Sequence, residues 1–283
     1  MPWLTNKTMK RLLWCLFLLT CVVSCQEKKT VAPEPVPVVE EDSVVAVVDT
    51  TDAVEEEIEP PKSADELFDD FIYGFMTNRK FQRARIRFPL RYEVNGRTDS
   101  IMPDEWKFDR LYSEKEVYTV IYGKASEEEK AKSTSLSHVV VEWIELTRRR
   151  VKSYEFDRGP RGWMLTALRS MPLGRNENAG FLIFYQRFAT DSVFQREHVT
   201  DPVAFKTYDS ESFEEISGVV DIDQWFLFRP DLPHDVITNI RYGQSYKGSK
   251  FRIVAINSLS SSMFSYLTFE REGDTWMLVA FEN

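Results

Sequence analysis

Apolar residues recur along the chain with the spacing of one helical face, and this pattern occurs twice. The two stripes are Phe68, Phe71, Ile72 and Phe75, and Phe181, Phe184, Tyr185 and Phe188. This spacing predicts two amphipathic helices, each with an apolar face that packs on a sheet. The wall of a ligand pocket is the alternative, but large aromatic side chains are mostly packing residues.

Each helical stretch is followed by sequence typical of strands. Runs rich in Val, Ile, Tyr, Phe and Trp alternate with turn residues, which predicts an antiparallel meander of four strands in each half. These strands are 115–123, 136–147, 149–157 and 162–169, and then 235–243, 250–258, 261–270 and 275–282. A short helix over Lys80–Arg87 and a hairpin that turns at Asn95-Gly96 are predicted before the first set.

The last strand of each half is apolar on both faces. One face carries Trp163, Leu165 and Ala167 in the first half, and Trp276, Leu278 and Ala280 in the second. A strand covered on one side only should alternate with polar residues. We therefore expect both faces of these strands to be covered, the second face by the other half of the chain.

The two halves match each other in sequence. When Ser63 is aligned with Asn176 and no gap is introduced, Ser63–Pro89 agrees with Asn176–Pro202 at eight of 27 positions. The same alignment, with no change of offset, matches Trp163 to Trp276 near the end of each half. Fixed ends with length changes between them predict two tandem copies of one domain, assigned to residues 63–171 and 176–283. The short linker between the copies favours close packing of one on the other.

Residues 1–24 predict an export signal. Basic residues precede the apolar run Leu12–Val23, which is too short to span a bilayer as a permanent helix. The run ends in Val22-Val23-Ser24-Cys25, which resembles the lipobox of bacterial lipoproteins, where the Cys is acylated and becomes the first mature residue. We expect a lipid on Cys25; an ordinary secretory signal with a chance Cys is the alternative.

Residues 25–62 are predicted to hold the lipidated Cys25 and, after it, a disordered tether that is acidic and Pro-rich. Positions 26–62 hold eleven acidic residues against three lysines, in a chain whose formal net charge is −9. Most of the negative charge of the chain lies in this segment. A chain with net negative charge lacks the basic surface that nucleic acids bind, so we expect no nucleic-acid partner. The segment Gln26-Glu27 lacks the Asp that marks inner-membrane retention in the enterobacterial sorting rule. We expect an outer-membrane protein that faces the periplasm and is held to the membrane by its N-terminal lipid.

The predicted order of elements, with helices first, then a hairpin and four long strands, resembles the nuclear-transport-factor-2-like (cystatin-like, SnoaL-like) α+β cone. The resemblance implies a curved antiparallel sheet wrapped on the N-terminal helices of each copy, with a pocket at the open end. Together with the signal and tether, it also resembles uncharacterised lipoproteins of Bacteroides-type bacteria. Enzymes of the cone fold use an Asp base with Tyr and Asp donors, but no numbered residues here match that set, so no catalytic residue is assigned.

Catalytic and cofactor motifs are missing from the sequence. It has no Gly-rich phosphate loop, HExxH, CxxC or nucleophile elbow. The histidines His138, His198 and His234 have no His or Cys at ligand spacing, so we expect neither a metal nor a cofactor.

A basic cluster distinguishes the first copy from the second. Its arginines are Arg83, Arg85, Arg87 and Arg91, and the matching stretch of the second copy keeps only Arg196. Arginine forks bind carboxylates and phosphates, so one hypothesis is an anion-binding site. The competing interpretation is a solvated helix face balanced by Asp65, Asp69 and Asp70.

Large aromatic residues occur at matching places in both copies, as Trp106 and Trp225 and as Tyr122 and Tyr242. They are candidates for lining the two cone pockets, where flat rings stack on sugars or apolar ligands. Core packing is the competing interpretation and the one that the sequence favours.

Three hypotheses for function follow from these features. The first is a non-enzymatic lipoprotein of the cell envelope that binds a small molecule, an anionic glycan or an envelope protein. The second is an isomerase or dehydratase that uses a pocket carboxylate, and the third is a scaffold without a ligand. A carboxylate beside a Tyr in an open pocket would indicate the enzyme, and a filled cone would indicate the scaffold. The sequence favours the first hypothesis.

Overall fold

The computed structural model describes residues 67–209, 211–212 and 214–283, which all belong to one compact unit, Ile58–Asn283. The predicted signal, the predicted lipidation site Cys25, the predicted tether and Asp65 lie outside the described residues. Five α-helices, two 3-10 helices and twelve strands are found within the described part of the chain.

The elements follow one another in two similar series. The first series is α1 (Phe68–Thr77), α2 (Arg79–Ala84), β1 (Ile86–Val94), β2 (Arg97–Ile101), β3 (Val117–Tyr122), β4 (His138–Glu145), β5 (Arg150–Gly159) and β6 (Gly162–Pro172), with a 3-10 helix at Ala125–Lys132. After a 3-10 helix at Leu173–Arg175, the second is α3 (Ala179–Thr190), α4 (Ser192–Glu197), β7 (Val199–Tyr208), β8 (Glu215–Val220), α5 (Ile222–Phe228), β9 (Val236–Arg241), β10 (Phe251–Ser258), β11 (Phe264–Glu272) and β12 (Thr275–Glu282). All eight predicted long strands are confirmed.

The aromatic stripes of α1 and α3 pack on sheets, as predicted. Phe68 and Phe75 are buried, with ring centroids 5.1 Å from Trp163 and 5.2 Å from Phe156. In the second half the ring of Phe188 lies 5.1 Å from that of Phe269 in an edge-to-face arrangement. These edge-to-face pairs are a favourable geometry for aromatic rings and join each helix to its sheet.

The predicted helix over Lys80–Arg87 ends earlier than expected. α2 stops at Ala84, and Ile86 already pairs with Leu165 of β6. Tertiary pairing with β6 therefore overrides the local helical pattern in the last residues of the prediction.

The strands form two six-stranded sheets that exchange one strand each. Sheet A has the order β2-β1-β6-β5-β4-β9, and sheet B has the order β3-β10-β11-β12-β7-β8. Thus β3, from the first half, lies in the sheet of the second half, and β9 makes the reverse exchange. The predicted meanders, with β3 beside β4 and β9 beside β10, are wrong on this point. Alternation of apolar residues sets the faces of a strand but does not choose its neighbour.

The sheets are mixed rather than antiparallel, which corrects a second part of the predicted fold class. β1 pairs with β6 in parallel, and β7 pairs with β12 in parallel. In each case the two strands lie at opposite ends of their series and are not joined by a hairpin, so their relative direction is not fixed by a turn.

A β-bulge changes the predicted faces of the last strands. The register between β5 and β6 shifts between Glu155 and Phe156, so Leu168 rather than Ala167 joins Trp163 and Leu165 in the core. The same shift occurs between β11 and β12, where Phe281 rather than Ala280 faces the core. An extra residue inserted in one strand moves the following side chains to the other face.

Four strands at the centre of the unit are buried on both faces. Ile121 of β3 and Ile237 of β9 belong to the core around α3, whereas Val120 and Ile240 of the same strands belong to the core around α1. β4 and β10 are divided between the two cores in the same way. The strand exchange therefore makes each core depend on residues from both halves.

Threonine side chains join the two sheets where β3 and β9 meet. The amide of Thr119 donates to Oγ1 of Thr238 at 2.7 Å, and the amide of Thr238 donates to Oγ1 of Thr119 at 3.0 Å. These bonds satisfy backbone groups that an edge strand would otherwise expose.

The face of sheet A that points away from α1, called here its outer face, is closed over β4, β9 and the start of β5. Ile144 and Val151 on this face are fully buried and pack in the core around α3. Beside them, the buried carboxylate of Glu142 accepts hydrogen bonds from Asn176 at 2.8 Å and from Asn239 at 2.7 Å. Burial raises the pKa of Glu142, although the bonds from the two amides oppose that shift.

Candidate functional site

The four candidate anion-binding arginines are dispersed and mostly engaged within the chain. Arg85 donates to the carbonyl of Arg161 and stacks 5.0 Å from the ring centre of Phe81. Arg91 lies 3.3 Å from Glu93 in an ion pair. The pKa of Asp157 is lowered, against the effect of burial, mainly by hydrogen bonds from Thr166 and His138, and the charge of Arg87 adds to that lowering.

The fourth arginine lies in a different place. Arg83 is exposed on α2 and borders a surface pocket of about 380 Å³, together with Gln82 and Trp106, which the other three arginines do not line. Asp69, one of the predicted partners, is instead bound by a tyrosine. The anion-binding hypothesis therefore stays a prediction.

Three of the four candidate aromatics are buried in cores. Trp225 has no exposed surface and packs against Phe281 with ring centres 4.9 Å apart. Tyr242 is buried in the core around α1. Trp106 is partly buried, and its Nε1 donates to Oε1 of Gln82 at 3.0 Å.

The fourth candidate, Tyr122, is not the structural counterpart of Tyr242. Tyr122 of β3 pairs with Ile253 of β10. When the two halves are aligned, Ile253 corresponds to Val140 of β4, and Val140 pairs with Arg241 of β9. The structural counterpart of Tyr122 is therefore Arg241. The match of Tyr-Gly in the sequence is therefore shifted by one residue from the match in the structure. Both tyrosines lie in the same core, and Tyr122 also borders an open groove.

This groove, called here the outer groove, lies on the face of sheet B that points away from α3. It has a volume of about 650 Å³ and crosses β3, β10, β11, β12 and β7. Its lining includes Tyr118, Tyr122, Glu128, Lys206, Phe264 and Tyr266. The volume is within the range of roughly 300–1,000 Å³ that small-ligand sites occupy.

Aromatic rings form one wall of the outer groove. Phe264 and Tyr266 project from the same face of β11 because side chains two residues apart in a strand point the same way. Their ring centres lie 5.4 Å apart, and Tyr208 of β7 follows at 6.4 Å from Phe264. Tyr208 is 40% exposed, so this aromatic row is open to solvent.

Charged groups of the outer groove are paired with one another. The hydroxyl of Tyr266 donates to Oε1 of Glu128 at 2.7 Å. Nζ of Lys206 lies 2.9 Å from Glu215 and 3.9 Å from Glu282, and 5.3 Å from the centre of the Tyr208 ring. Burial and the bond to Glu128 raise the pKa of Tyr266, and the bond to Glu215 raises the pKa of Lys206. At neutral pH the tyrosine is therefore protonated and the lysine charged.

The outer groove continues across the sheet. A neighbouring depression of about 540 Å³ is lined by Ser217 and Val219 of β8, and it shares Lys206, Tyr266 and Glu282 with the groove. Together the two depressions form an extended surface rather than an enclosed cavity.

A carboxylate beside a tyrosine occurs at a second place. The hydroxyl of Tyr242 donates to Oδ1 of Asp69 at 2.6 Å, although the two residues lie in different halves of the chain. Desolvation by the surrounding protein raises the pKa of Asp69, and the negative charge of Asp70 raises it further. The hydrogen bond from Tyr242 lowers it. Asp69 is not among the residues that line the outer groove.

Sequence reasoning found Tyr122 and missed the rest of the groove. Phe264 and Tyr266 were predicted only as residues of a strand. The signal that marks them is a difference between the halves: the corresponding residues of the first half are Val151 and Ser153, both buried on the outer face of sheet A. The Asp69–Tyr242 contact had no signal in the sequence, since it depends on the exchange of β9.

Neither a metal cluster nor a membrane-spanning helix occurs among the described residues. Within residues 67–209, 211–212 and 214–283, no three His, Cys, Asp or Glu side chains come together as a metal site. No helix in this part of the chain combines the length and the apolar character needed to cross a bilayer.

Comparisons with known proteins place the chain in a family. A model of a domain of unknown function (DUF4348) matches residues 47–283. The crystal structure of an NTF2-like protein from Bacteroides fragilis superposes with a TM-score of 0.74 and 38% sequence identity, covering 79% of this chain and 98% of that one. No curated protein matches the chain. The resemblance to the nuclear-transport-factor-2-like fold is thereby confirmed.

Proposed function

The chain belongs to the DUF4348 family and has an NTF2-like fold, and on that premise we propose that it is a non-enzymatic ligand-binding lipoprotein of the bacterial cell envelope. The observation that carries the proposal is the outer groove of sheet B, which presents aromatic rings and paired polar groups on an open sheet face. An exposed aromatic surface with a few placed polar groups is typical of ligand sites.

The tandem arrangement is part of the same proposal. The ladders of the two sheets agree at the offset that aligns Ser63 with Asn176: Ser153 opposes Arg169 in sheet A, and Tyr266 opposes Glu282 in sheet B. This agreement supports two copies of one domain. The assigned ranges 63–171 and 176–283 stay predictions, because each sheet takes one strand from the other half.

The envelope location rests on the N-terminal sequence. Acylation of Cys25 after cleavage at residue 24 would leave the folded unit at the end of the tether, facing the periplasm from the outer membrane. Mass spectrometry of membrane-purified protein tests this directly. We expect an N-terminal peptide that begins at Cys25 with added acyl mass; an unmodified Cys25 inside a longer chain would contradict it.

Ligand binding is tested by thermal shift on the full chain with a broad panel of metabolites, oligosaccharides and peptides. A ligand at 100 times its dissociation constant adds about 2.7 kcal/mol to the free energy of unfolding. We expect at least one compound to raise the Tm of the wild type and of Tyr73→Ala, a control at an exposed position of α1, but not that of Tyr266→Ala. Identical responses of the three proteins to every compound would refute the outer groove as the site.

The Asp69–Tyr242 contact favours the second candidate function, an isomerase or dehydratase in which Asp69 is the base. A carboxyl of raised pKa beside a phenol suits proton transfer at carbon. Deuterium uptake from D2O into a carbon acid identified in the thermal-shift panel tests this function. Uptake catalysed by the wild type and lost in Asp69→Asn would support the enzyme, and equal uptake would exclude Asp69 as its base.

A further inference from the structure

We propose that the outer groove binds a neutral saccharide chain, an inference that rests on the proposed binding function and names its ligand class. Three features of the groove carry this inference: the aromatic row, the internal pairing of its charges, and the mixed donors and acceptors along its rim.

The aromatic row offers faces of the right kind. Tyr208, Phe264 and Tyr266 lie at successive centroid distances of 6.4 and 5.4 Å on one face of sheet B, on the strands β7 and β11 that flank β12. Sugar rings have one face of C–H groups, which packs on the π-face of an aromatic ring while the hydroxyls at the ring edge stay hydrated. A row of aromatic rings, unlike a single deep pocket, can stack against several consecutive sugar units of a chain.

The charges of the groove disfavour an anionic ligand. Its cation, Lys206, is held by Glu215 and Glu282, and Glu128 holds Tyr266. Two carboxylates therefore hold one ammonium group, and a third carboxylate, that of Glu128, is bonded to the Tyr266 hydroxyl. A phosphate or uronate would meet net negative charge and would have to displace an existing ion pair.

The same pairing disfavours a cationic ligand. The place over the Tyr208 ring where an organic cation would bind is already occupied by Nζ of Lys206, 5.3 Å from the ring centre. A ligand without formal charge leaves this internal pair intact.

The rim supplies hydrogen-bond partners that match hydroxyl groups. Asn257, Ser258, Ser261 and Ser262 line the groove beside the aromatic row. Hydroxyl and amide side chains both donate and accept, as the hydroxyls of a sugar do. Their short side chains are also close to the backbone, so few rotamers are lost when a ligand binds.

Binding of the full chain to immobilised saccharides tests this inference. The probes are neutral α-glucan, β-glucan, mannan and galactan oligosaccharides, with polygalacturonate as the anionic probe and choline and spermidine as cationic ones. We expect at least one neutral saccharide to bind, with affinity that is unchanged at about 1 M salt, where screening is nearly complete. Removing a stacking ring by Tyr266→Ala or Phe264→Ala should lower that affinity about tenfold or more.

Matched variants separate lost stacking from lost folding. Tyr266→Phe keeps the ring and removes the bond to Glu128, so it should keep most of the affinity, and Tyr73→Ala should bind as the wild type does. Circular dichroism melts of each variant show whether it is folded. If Tyr266→Ala does not fold, Phe264→Ala and Tyr266→Phe still decide the result.

The outcomes distinguish this inference from the function on which it rests. If polygalacturonate, choline or spermidine binds in a manner lost in Tyr266→Ala while no neutral saccharide does, the ligand class is wrong and the groove remains a binding site. If Tyr266→Ala, Phe264→Ala and Tyr73→Ala bind every probe with the same affinity, the groove is not the binding site and both proposals are overturned.

Discussion

The outer faces of the two sheets have the same strand register, but the first is packed against the other half of the chain and the second is open to solvent. On sheet A, Val151 and Ser153 are buried beneath the other half of the chain, with Ser153 only 5% exposed. On sheet B, Phe264 and Tyr266 stand at the corresponding positions and line an open groove. At these two positions the closed face carries small side chains, and the open face carries large aromatic side chains.

Charges at the two faces differ in the same way. Glu93 opposes Arg169 in sheet A, and Lys206 opposes Glu282 at the same ladder position in sheet B, with the signs reversed. A pair of opposite charges thus occurs at this position in both sheets, with either polarity. Such half-exposed pairs contribute little to stability, so folding does not constrain their polarity.

Separating the two halves should have the largest effect, because each sheet lacks one of its strands without the other half. We expect residues 67–175 alone to fail to fold, since sheet A takes β9 from the second half. Co-expression with residues 176–283 should restore a soluble complex. Circular dichroism and gel filtration of each half measure this; a cooperative melt of the first half alone would contradict the strand exchange as a requirement for folding.

Removing a buried amide from the closed face should cost several kcal/mol. Asn239→Leu leaves one oxygen of Glu142 and the amide of Ile121 without their partner. We expect a loss of about 3 kcal/mol in the free energy of unfolding, since unpaired buried polar groups keep their full desolvation cost.

The matched change on the open face is Asn257→Leu, which should alter the free energy of unfolding by less than about 0.5 kcal/mol. Urea denaturation of both variants provides the comparison. Equal losses at the two positions would show that the faces are not differently covered.

Exchanging residues between the faces should have a smaller and asymmetric effect. Ser153→Tyr inserts a ring into a filled space and should destabilise by about 1–3 kcal/mol. Tyr266→Ser on the open face should cost about 1 kcal/mol or less, because its ring is only half-buried. Thermal melts measure the asymmetry, and a larger loss from Tyr266→Ser than from Ser153→Tyr would reverse it.

The smallest expected effect is a pH dependence that belongs to the closed face. Burial raises the pKa of Glu142 in the folded state above its unfolded value, so its contribution is most favourable below the unfolded pKa and is lost as pH rises through the folded pKa. Glu142→Gln removes this titration.

The variant should therefore gain stability relative to the wild type as pH rises upward from about 4.3, the ordinary value for a glutamate. Urea denaturation of the pair at a series of pH values isolates this term from Asp109 and Asp157, whose lowered pKa values act in the opposite direction. A stability difference that does not change with pH would exclude Glu142 as its source.

Local sequence predicted the elements of this fold well and their pairing poorly. The stripe that contains Phe68 and Phe75 and the alternation in each long strand depend on neighbours in sequence, and the structure confirms them. The exchange of β3 and β9 depends on contacts between residues far apart in the sequence, such as Thr119 with Thr238. A strand buried on both faces has the same apolar sequence whichever sheet it joins.

The candidate site was predictable only in part for the same reason. Tyr122 was selected because a tyrosine occurs at a similar place in both halves. Residues common to both halves are those that the shared fold requires, however, and not those of a ligand site. The match of Tyr122 to Tyr242 also does not hold in the strand pairing. Tyr266 and Phe264 were missed because they differ from Ser153 and Val151. The packing of one half on the other decides which of these differing side chains is exposed to solvent.

Cysteine labelling tests the contrast between the two faces most directly. The three cysteines of the chain, Cys15, Cys21 and Cys25, all precede the tether, so a lipid-free chain of residues 26–283 has no thiol of its own. A single Cys is introduced as Tyr266→Cys on the open face or as Ser153→Cys on the closed face, and reaction with a thiol reagent is followed under native conditions. Tyr266→Cys should react rapidly and Ser153→Cys at least about 100-fold more slowly, since the closed face reacts only after opening. Equal rates at the two positions would contradict the account.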